Sequence, residues 1–305
     1  MAVASVGNLN FDIYLKTAGL PGLDEAVEAL DFYTGGGGSA ANFAIAMARL
    51  GLEVRFFGAI GPDPLGELSL RELRDEGVDI SYVKRVEGVR SGVVVVLLQQ
   101  DGARRMVAFR GANLGLSPGD LSVEKFAGVR HIHLATGRLE LIAKAREVAS
   151  GVGATVSIDG GTSLAKKGLD AVRTAARGAD VMFVNRVEAR LLAGTEDYLS
   201  AAERLFRELS VGEVVVTLGP GGALAYDGRS FVYLDAFRLE AVDTTGAGDV
   251  FAAAYVAMFL KGRGLYERLL FANAAAAIKI TRRGARSSPK YGEVVAFLES
   301  LGYKI

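Results

Sequence analysis

The chain of 305 residues carries 35 basic and 35 acidic side chains, a balance that argues against nucleic acid or an anionic membrane as its main partner, since both select a basic surplus. It has no cysteine, which excludes disulfides, thiolate zinc sites and cysteine nucleophiles, and its two histidines give little support to a Ser–His–Asp triad or a histidine-rich metal site. Half of the residues are hydrophobic, ample for a large core, yet no uninterrupted apolar run reaches the roughly 18 residues of a membrane span. The N-terminal MAVASVGNLNFDIYL lacks a basic segment followed by a long apolar stretch, so a soluble, cytoplasmic protein is expected.

Short β-branched runs alternate with alanine-rich helical stretches. Residues 2–7 read as a first strand, 41–51 as a helix stopped by Gly51, 53–61 as a strand and 66–77 as a helix with a glycine stop. Further buried strands are expected at HIHLA (131–135), 154–160, 180–185 and 213–219, with helices at about 139–150, 165–178, 187–193 and 199–209. His131 and His133 alternate with apolar neighbours, as packed strand residues do. A strand that ends at a polar or glycine-rich corner and leads into a helix, repeated along the chain, predicts a doubly wound, mostly parallel α/β sheet flanked by helices, with ligands at the carboxyl ends of its strands. Residues 11–35 and 89–110 break the alternation. The second reads as two strands joined by the Asp101-Gly102 hairpin signal, and neither segment has a helix to cover a second face. Together they predict a small β-sheet lid inserted in a single domain over 1–305, with an apolar side that a homodimer would bury.

Residues 243–249, DTTGAGD, precede the apolar run VFAAAYVAMFL, which reads as a buried helix. A glycine turn entering a helix presents N–H groups that have no intrahelical acceptor, at the positive end of the macrodipole, and so suits an anion. Asp249 beside it is either an ordinary first-turn carboxylate or a group with work to do, such as taking a proton from a hydroxyl that attacks a phosphate. A second cluster, Gly35 to Gly38 followed by Ser39, precedes the 41–51 helix and lets backbone approach a ligand, with Asn42 one turn in. No G-x-G-x-x-G follows the first strand, where residues 7–12 read GNLNFD, and no Walker A motif occurs.

GGGGSAANFAIAMARLG and DTTGAGDVFAAAY, with NRVEA (185–189), TLGPGG (217–222) and NAAAAIKITRRGA (273–285) in order between and after them, resemble the signature regions of the ribokinase-like (PfkB) family of carbohydrate kinases over nearly the whole chain. The resemblance implies Asp249 as general base and the N–H groups of Gly246, Ala247 and Gly248 as the anion hole for the transferred phosphoryl group. It implies ATP and Mg2+ as cofactors. Asn185 and Glu188 would hold the magnesium largely through water; N-x-x-E is on local grounds also a helix capping box. Thr217, Gly219 and Gly222 would follow the nucleotide phosphates, and Asn273 would lie beside the adenine. In members activated by potassium the ion lies beside the anion hole, where Asp243, Thr245 and residues 280–288 are the candidates.

On the substrate side the matched positions are Asn10, Asp12, Gly37, Gly38 and Asn42, with Arg110 on the lid. Ser39 stands where ribokinases usually have lysine, and Thr136 where they have glutamate, which departs from a ribose-specific site. Arg110 matches the ketodeoxygluconate kinases, but Gly160-Gly161-Thr162 replaces the second arginine they use. The implied activity is phosphorylation of a primary hydroxyl of a small sugar. The alternatives are a nucleoside kinase with Phe11, Phe43 and Phe109 around the base, a ketodeoxygluconate or phosphosugar kinase, and, least supported, a non-catalytic sugar- or nucleotide-binding protein.

Overall fold

The computed structural model describes residues 1–99 and 104–304; the Asp101-Gly102 turn lies outside them. Eight strands form the central sheet: β1 (Ala2–Gly7), β4 (Glu53–Phe57), β9 (Val129–Ala135), β10 (Thr155–Ile158), β11 (Val181–Asn185), β12 (Glu213–Thr217), β13 (Ala223–Tyr226) and β14 (Phe231–Leu234). Their spatial order is β14-β13-β12-β11-β10-β9-β1-β4. Neighbours from β12 to β4 are parallel, whereas β13 and β14 close one edge as an antiparallel hairpin. The inner strands are buried on both faces, which explains their near-continuous apolar runs.

One face of the sheet packs against α1 (Ser39–Arg49), α2 (Pro64–Asp75), α8 (Ala247–Leu260), α9 (Leu265–Ile280) and α10 (Tyr291–Ser300). The other packs against α3 (Leu139–Val152), α4 (Gly161–Ala165), α5 (Leu169–Ala176), α6 (Arg186–Ala193) and α7 (Tyr198–Leu209). Residues 250–258 of α8 are buried on every side, as its unbroken apolar sequence predicts. No helix among the described residues is long and apolar enough to cross a membrane.

The lid is a four-stranded sheet ordered β3-β2-β7-β8, built from β2 (Asn10–Thr17), β3 (Ala29–Gly37), β7 (Gly92–Gln99) and β8 (Arg104–Phe109). Its register gives the two faces different characters. Asp12, Tyr14, Tyr33, Val94, Val96 and Met106 share the face toward the body, and Leu15, Phe32, Val95, Leu97, Val107 and Phe109 share the outer one.

Several expectations need correction. Gly35 to Gly37 close strand β3, and the helix expected over 41–51 starts at Ser39 and ends at Arg49. The 53–61 strand divides at Gly58 into β4 and β5 (Ala59–Ile60), which pairs with β6 (Lys84–Arg85). The helix expected over 165–178 is divided at Gly168, whose φ of 84° lies in the left-handed region. The lid is also braced at one end by α2, where Ser69 Oγ donates to Asn10 O at 2.9 Å and Gly36 N donates to the Glu72 carboxylate at 3.1 Å.

Candidate active site

The carboxyl ends of the parallel strands open on a cavity of about 700 Å3 between body and lid. Asn10 and Asp12, Gly38, Ser39 and Asn42, and the lid residues Val94 and Met106 line one end. Asp159, Thr162, Asn185 and Glu188 also line the cavity, as do Thr244, Thr245, Gly246, Gly248 and Asp249. An adjoining, mostly apolar cavity of about 480 Å3 is bounded by Thr217, Gly219, Gly222, Phe237, Leu239, Asn273, Ala277 and Ile280. The motifs at 35–42, 185–188, 217–222 and 243–249, far apart in the chain, therefore meet at one place.

Gly246 is the N-cap of α8, with φ of 78°, and a Cβ there would fall 2.4 Å from Ala285 O, so the turn requires glycine. The first intrahelical bond is Val250 N to Gly246 O at 3.0 Å, and the Ala247 N–H is drawn to Thr244 O at 3.2 Å. The N–H groups of Gly248 and Asp249 precede the first helical bond and lie at the positive end of the helix. Asp249 is part-buried in this first turn; its Oδ2 accepts from Asn42 Nδ2 at 2.7 Å, and the Ser39 hydroxyl also bonds this carboxylate. Burial pushes Asp249 up to about 6, against the opposing hydrogen bonds of Asn42 and Ser39 and the charge of Lys279.

At the other end, burial pushes Asp12 up to about 6, opposed by its hydrogen bond from Tyr14 (3.1 Å) and by the Arg286 charge. Asp12 Oδ1 and Asn42 Oδ1 are buried acceptors with no hydrogen-bond partner among the described residues, a state that polar atoms seldom keep without a ligand. A Cβ on Gly37 would fall 2.1 Å from Asp12 Oδ2, so a side chain there would displace the Asp12 carboxylate. Gly38, with φ of 93°, brings the chain against Asn8 O. Arg286, itself buried, donates to Gly37 O at 2.9 Å, Ser69 O at 3.0 Å and Glu72 Oε2 at 2.8 Å, so it fixes the end of β3. Asn10 Oδ1 accepts from Asn113 Nδ2 at 2.8 Å, while Asn113 Oδ1 accepts from Leu9 N at 2.8 Å.

Asn185 and Glu188 form the capping box of α6: Asn185 Oδ1 accepts from Val187 N (2.9 Å) and Glu188 N (3.0 Å), and Glu188 Oε2 accepts from Asn185 N (3.0 Å). Glu188 still reaches the cavity, beside Thr162 and Asp159. Burial and then the charges of Glu188 and Asp249 push Asp159 up to about 8. Thr217 ends β12, and a Cβ on Gly222 would fall 2.0 Å from Leu234 O. Asn273 is buried rather than exposed; its Nδ2 donates to Leu234 O and Asp235 O at 3.3 Å, which holds one wall of the apolar cavity.

Some expected residues are not brought in. Arg110 is exposed at the end of the lid and does not line the described cavity. Phe11 and Phe43 are core residues, Phe43 stacked on His133 at 3.6 Å between ring centroids, and Phe109 points outward on the lid. His131 and His133 are buried in the sheet against Ser157, and burial keeps both imidazoles neutral. Asp159, Asn113 and Arg286 join the site without a sequence signal of their own, since their partners lie elsewhere in the chain.

A profile described as pfkB family carbohydrate kinase matches residues 2–290. The chain is 33% identical to an ATP-dependent ribose-1-phosphate kinase of Halopiger xanaduensis over 97% of both chains. It is similar to a ribokinase from Thermotoga maritima (TM-score 0.84, 28% identity, 98% of this chain and 99% of that one). It is equally similar to a ribokinase from Arabidopsis thaliana complexed with ribose and ATP (TM-score 0.83, 28% identity, 98% of each chain). The match runs through every motif that meets at the cavity, and the chain belongs to the pfkB family of carbohydrate kinases.

Proposed function

We propose that the protein transfers the γ-phosphoryl group of ATP to a primary hydroxyl of a small, uncharged sugar, with Asp249 as general base. The observation that carries this reading is the placement of Asp249. It stands in the first turn of α8, hydrogen-bonded to Asn42 at 2.7 Å, in the cavity where Asp12 Oδ1 and Asn42 Oδ1 await donors. A sugar brings vicinal hydroxyls, which are such donors. A carboxyl near 6 is ionised at neutral pH yet basic enough to take the hydroxyl proton as the new P–O bond forms. The helix N-terminus behind residues 246–248 faces charge developing on the phosphoryl oxygens, and positioning plus such stabilisation is most of what phosphoryl transfer requires.

The apolar cavity beside Asn273 suits a nucleoside base, and Thr217, Gly219 and Gly222 lead from it to the phosphoryl site. The crowded carboxylates of Asp159 and Glu188 are oxygen donors of the kind a hard divalent cation selects. Magnesium held there with Asn185 nearby would neutralise charge on the nucleotide phosphates. The outer face of the lid exposes Phe32, Val107 and Phe109, and a second copy of the chain covering it fits an uncovered sheet; sedimentation velocity tests this, a monomer at micromolar concentration being the contrary result.

Among the described residues the basic residue lining this cavity is Arg186, next to Asn185 and Glu188 in the chain rather than beside Asn10 and Asp12, which favours a free sugar over a phosphosugar. Val94 and Met106, rather than aromatic rings, roof that end, which gives a nucleoside little to stack on. A coupled ATP-consumption assay over ribose, fructose, ketodeoxygluconate, ribose 1-phosphate, fructose 6-phosphate, adenosine and cytidine decides. The expected result is the highest kcat/KM on a free sugar. A clear preference for ribose 1-phosphate, whose kinase is a relative in sequence, or for a nucleoside would overturn the substrate class. No turnover on any acceptor would favour a binding protein.

A further inference from the structure

The family resemblance places a monovalent cation beside the anion hole, with Asp243, Thr245 and the segment after α9 as its ligands. The residues there do not fit an ion. Lys279, in the last turn of α9, is fully buried, and its Nζ donates to Asp243 O at 2.7 Å. Asp243 Oδ1 accepts from Thr245 N at 2.8 Å, and Oδ2 accepts from Gly284 N at 2.9 Å and Tyr33 OH at 3.3 Å. Ile280 O receives the N–H groups of Val242 (2.7 Å) and Asp243 (3.0 Å). A potassium ion needs several oxygens free to replace its water. The Asp243 and Ile280 oxygens already accept from protein donors, and a cationic group is bonded to Asp243 O.

We propose that the Lys279 ammonium takes the place of the monovalent cation, bracing residues 243–245 against 280–285 and supplying a fixed positive charge behind the anion hole, so that turnover does not depend on potassium. A buried ammonium is expensive unless it meets oxygens and opposing charge, and both are at hand in Asp243 O and the Asp243 carboxylate. Its field reaches the reacting centre. Burial alone would raise Asp243, but the Thr245 N–H and the Lys279 charge hold it below the ordinary range, and the same charge opposes the upward shift of Asp249. The brace also passes through Gly246, whose Cα faces Ala285 O too closely for any side chain. Lys279 is therefore a positioning residue for the turn.

The test is a salt series at constant ionic strength and Mg2+, in choline, sodium, potassium and ammonium chloride, read by turnover on the best acceptor of the panel above and by the unfolding midpoint with MgATP. For the wild-type enzyme both readouts are expected to be the same in all four salts. Lys279→Met keeps the aliphatic length but removes the charge; its kcat in choline should fall by about tenfold or more, with KM for the acceptor little changed, and recover at least in part with potassium or ammonium. Activation of the wild type by potassium of more than about fivefold, or a potassium-specific rise in its midpoint, overturns the proposal, as does normal turnover of Lys279→Met in choline. Loss of activity that no cation restores leaves Lys279 a packing residue and overturns it as well. If the variant does not fold, the wild-type series decides alone, and the unfolding readout needs no acceptor, so a wrong substrate class cannot be mistaken for a wrong cation assignment.

Discussion

Replacing Asp249 with asparagine separates a catalytic carboxylate from a structural one, because the two roles predict opposite effects on activity and stability. Asparagine keeps the shape and an acceptor for Asn42 Nδ2, so the 2.7 Å contact survives while the charge is lost. The folded-state value of about 6 lies above the ordinary 3.8, so ionising Asp249 disfavours the folded state. At 1.36 kcal/mol per pH unit this cost has a ceiling of about 3 kcal/mol above pH 6, and the opening of the cavity to water lowers it to roughly 1–2 kcal/mol. The sign follows: well below pH 3.8 variant and wild type both carry a neutral side chain there, the advantage of Asp249→Asn grows from there to about pH 6, and it is constant above. At pH 7.5 the unfolding midpoint of the variant should therefore be higher by roughly 2–3 °C. Its kcat should fall at least about a hundredfold, with ATP binding largely kept. Urea or thermal unfolding at pH 4 and 7.5, beside steady-state kinetics, makes the measurement. A stable variant with near-normal kcat removes Asp249 as base, and a destabilised one means its charge is compensated in the fold.

Wild-type kcat/KM should decline below about pH 6, as the Asp249 and Asp12 carboxyls, both raised to about 6, take up protons; a profile flat to pH 4.5 contradicts the assignment of both. Glu188→Gln removes a carboxylate from the cavity and weakens the capping box of α6. The Mg2+ concentration for half-maximal rate should rise about tenfold and stability should fall by about 1 kcal/mol, whereas an unchanged Mg2+ titration places the metal elsewhere. Gly37→Ala puts a Cβ 2.1 Å from Asp12 Oδ2, so KM for the sugar should rise about tenfold with KM for ATP constant; a shift in the ATP constant alone would detach Gly37 from the sugar site.

The parts of this structure that are legible in the sequence are those whose cause is local. The alternation of apolar runs and alanine-rich stretches marks the parallel strands and their helices, and N-x-x-E marks the start of α6, because a capping box is made by residues three apart. The glycines at 35–38 announce close approach but not its form: Gly36 and Gly37 end a strand, and what they make room for, Arg286 and Asp12, comes from the segment between α9 and α10 and from β2. The β13–β14 hairpin is hidden because both strands are only four residues long: β13 is mostly buried, while the edge strand β14 alternates exposed and part-buried residues. Asn113 acquires its role only by meeting Asn10 across 103 residues of chain, and nothing in its own segment predicts that. Lys279 is the intermediate case. A charged residue inside AAAAIKI is visible in the sequence, but only the fold shows that it is buried and that its amine arrives at Asp243 O, 36 residues back, beside the DTTGAGD turn. On the proposed reading a local pattern discloses where an anion would bind, while the groups that set the charge around it belong to the tertiary structure, and a substitution at one of them would change an ion requirement without altering any motif.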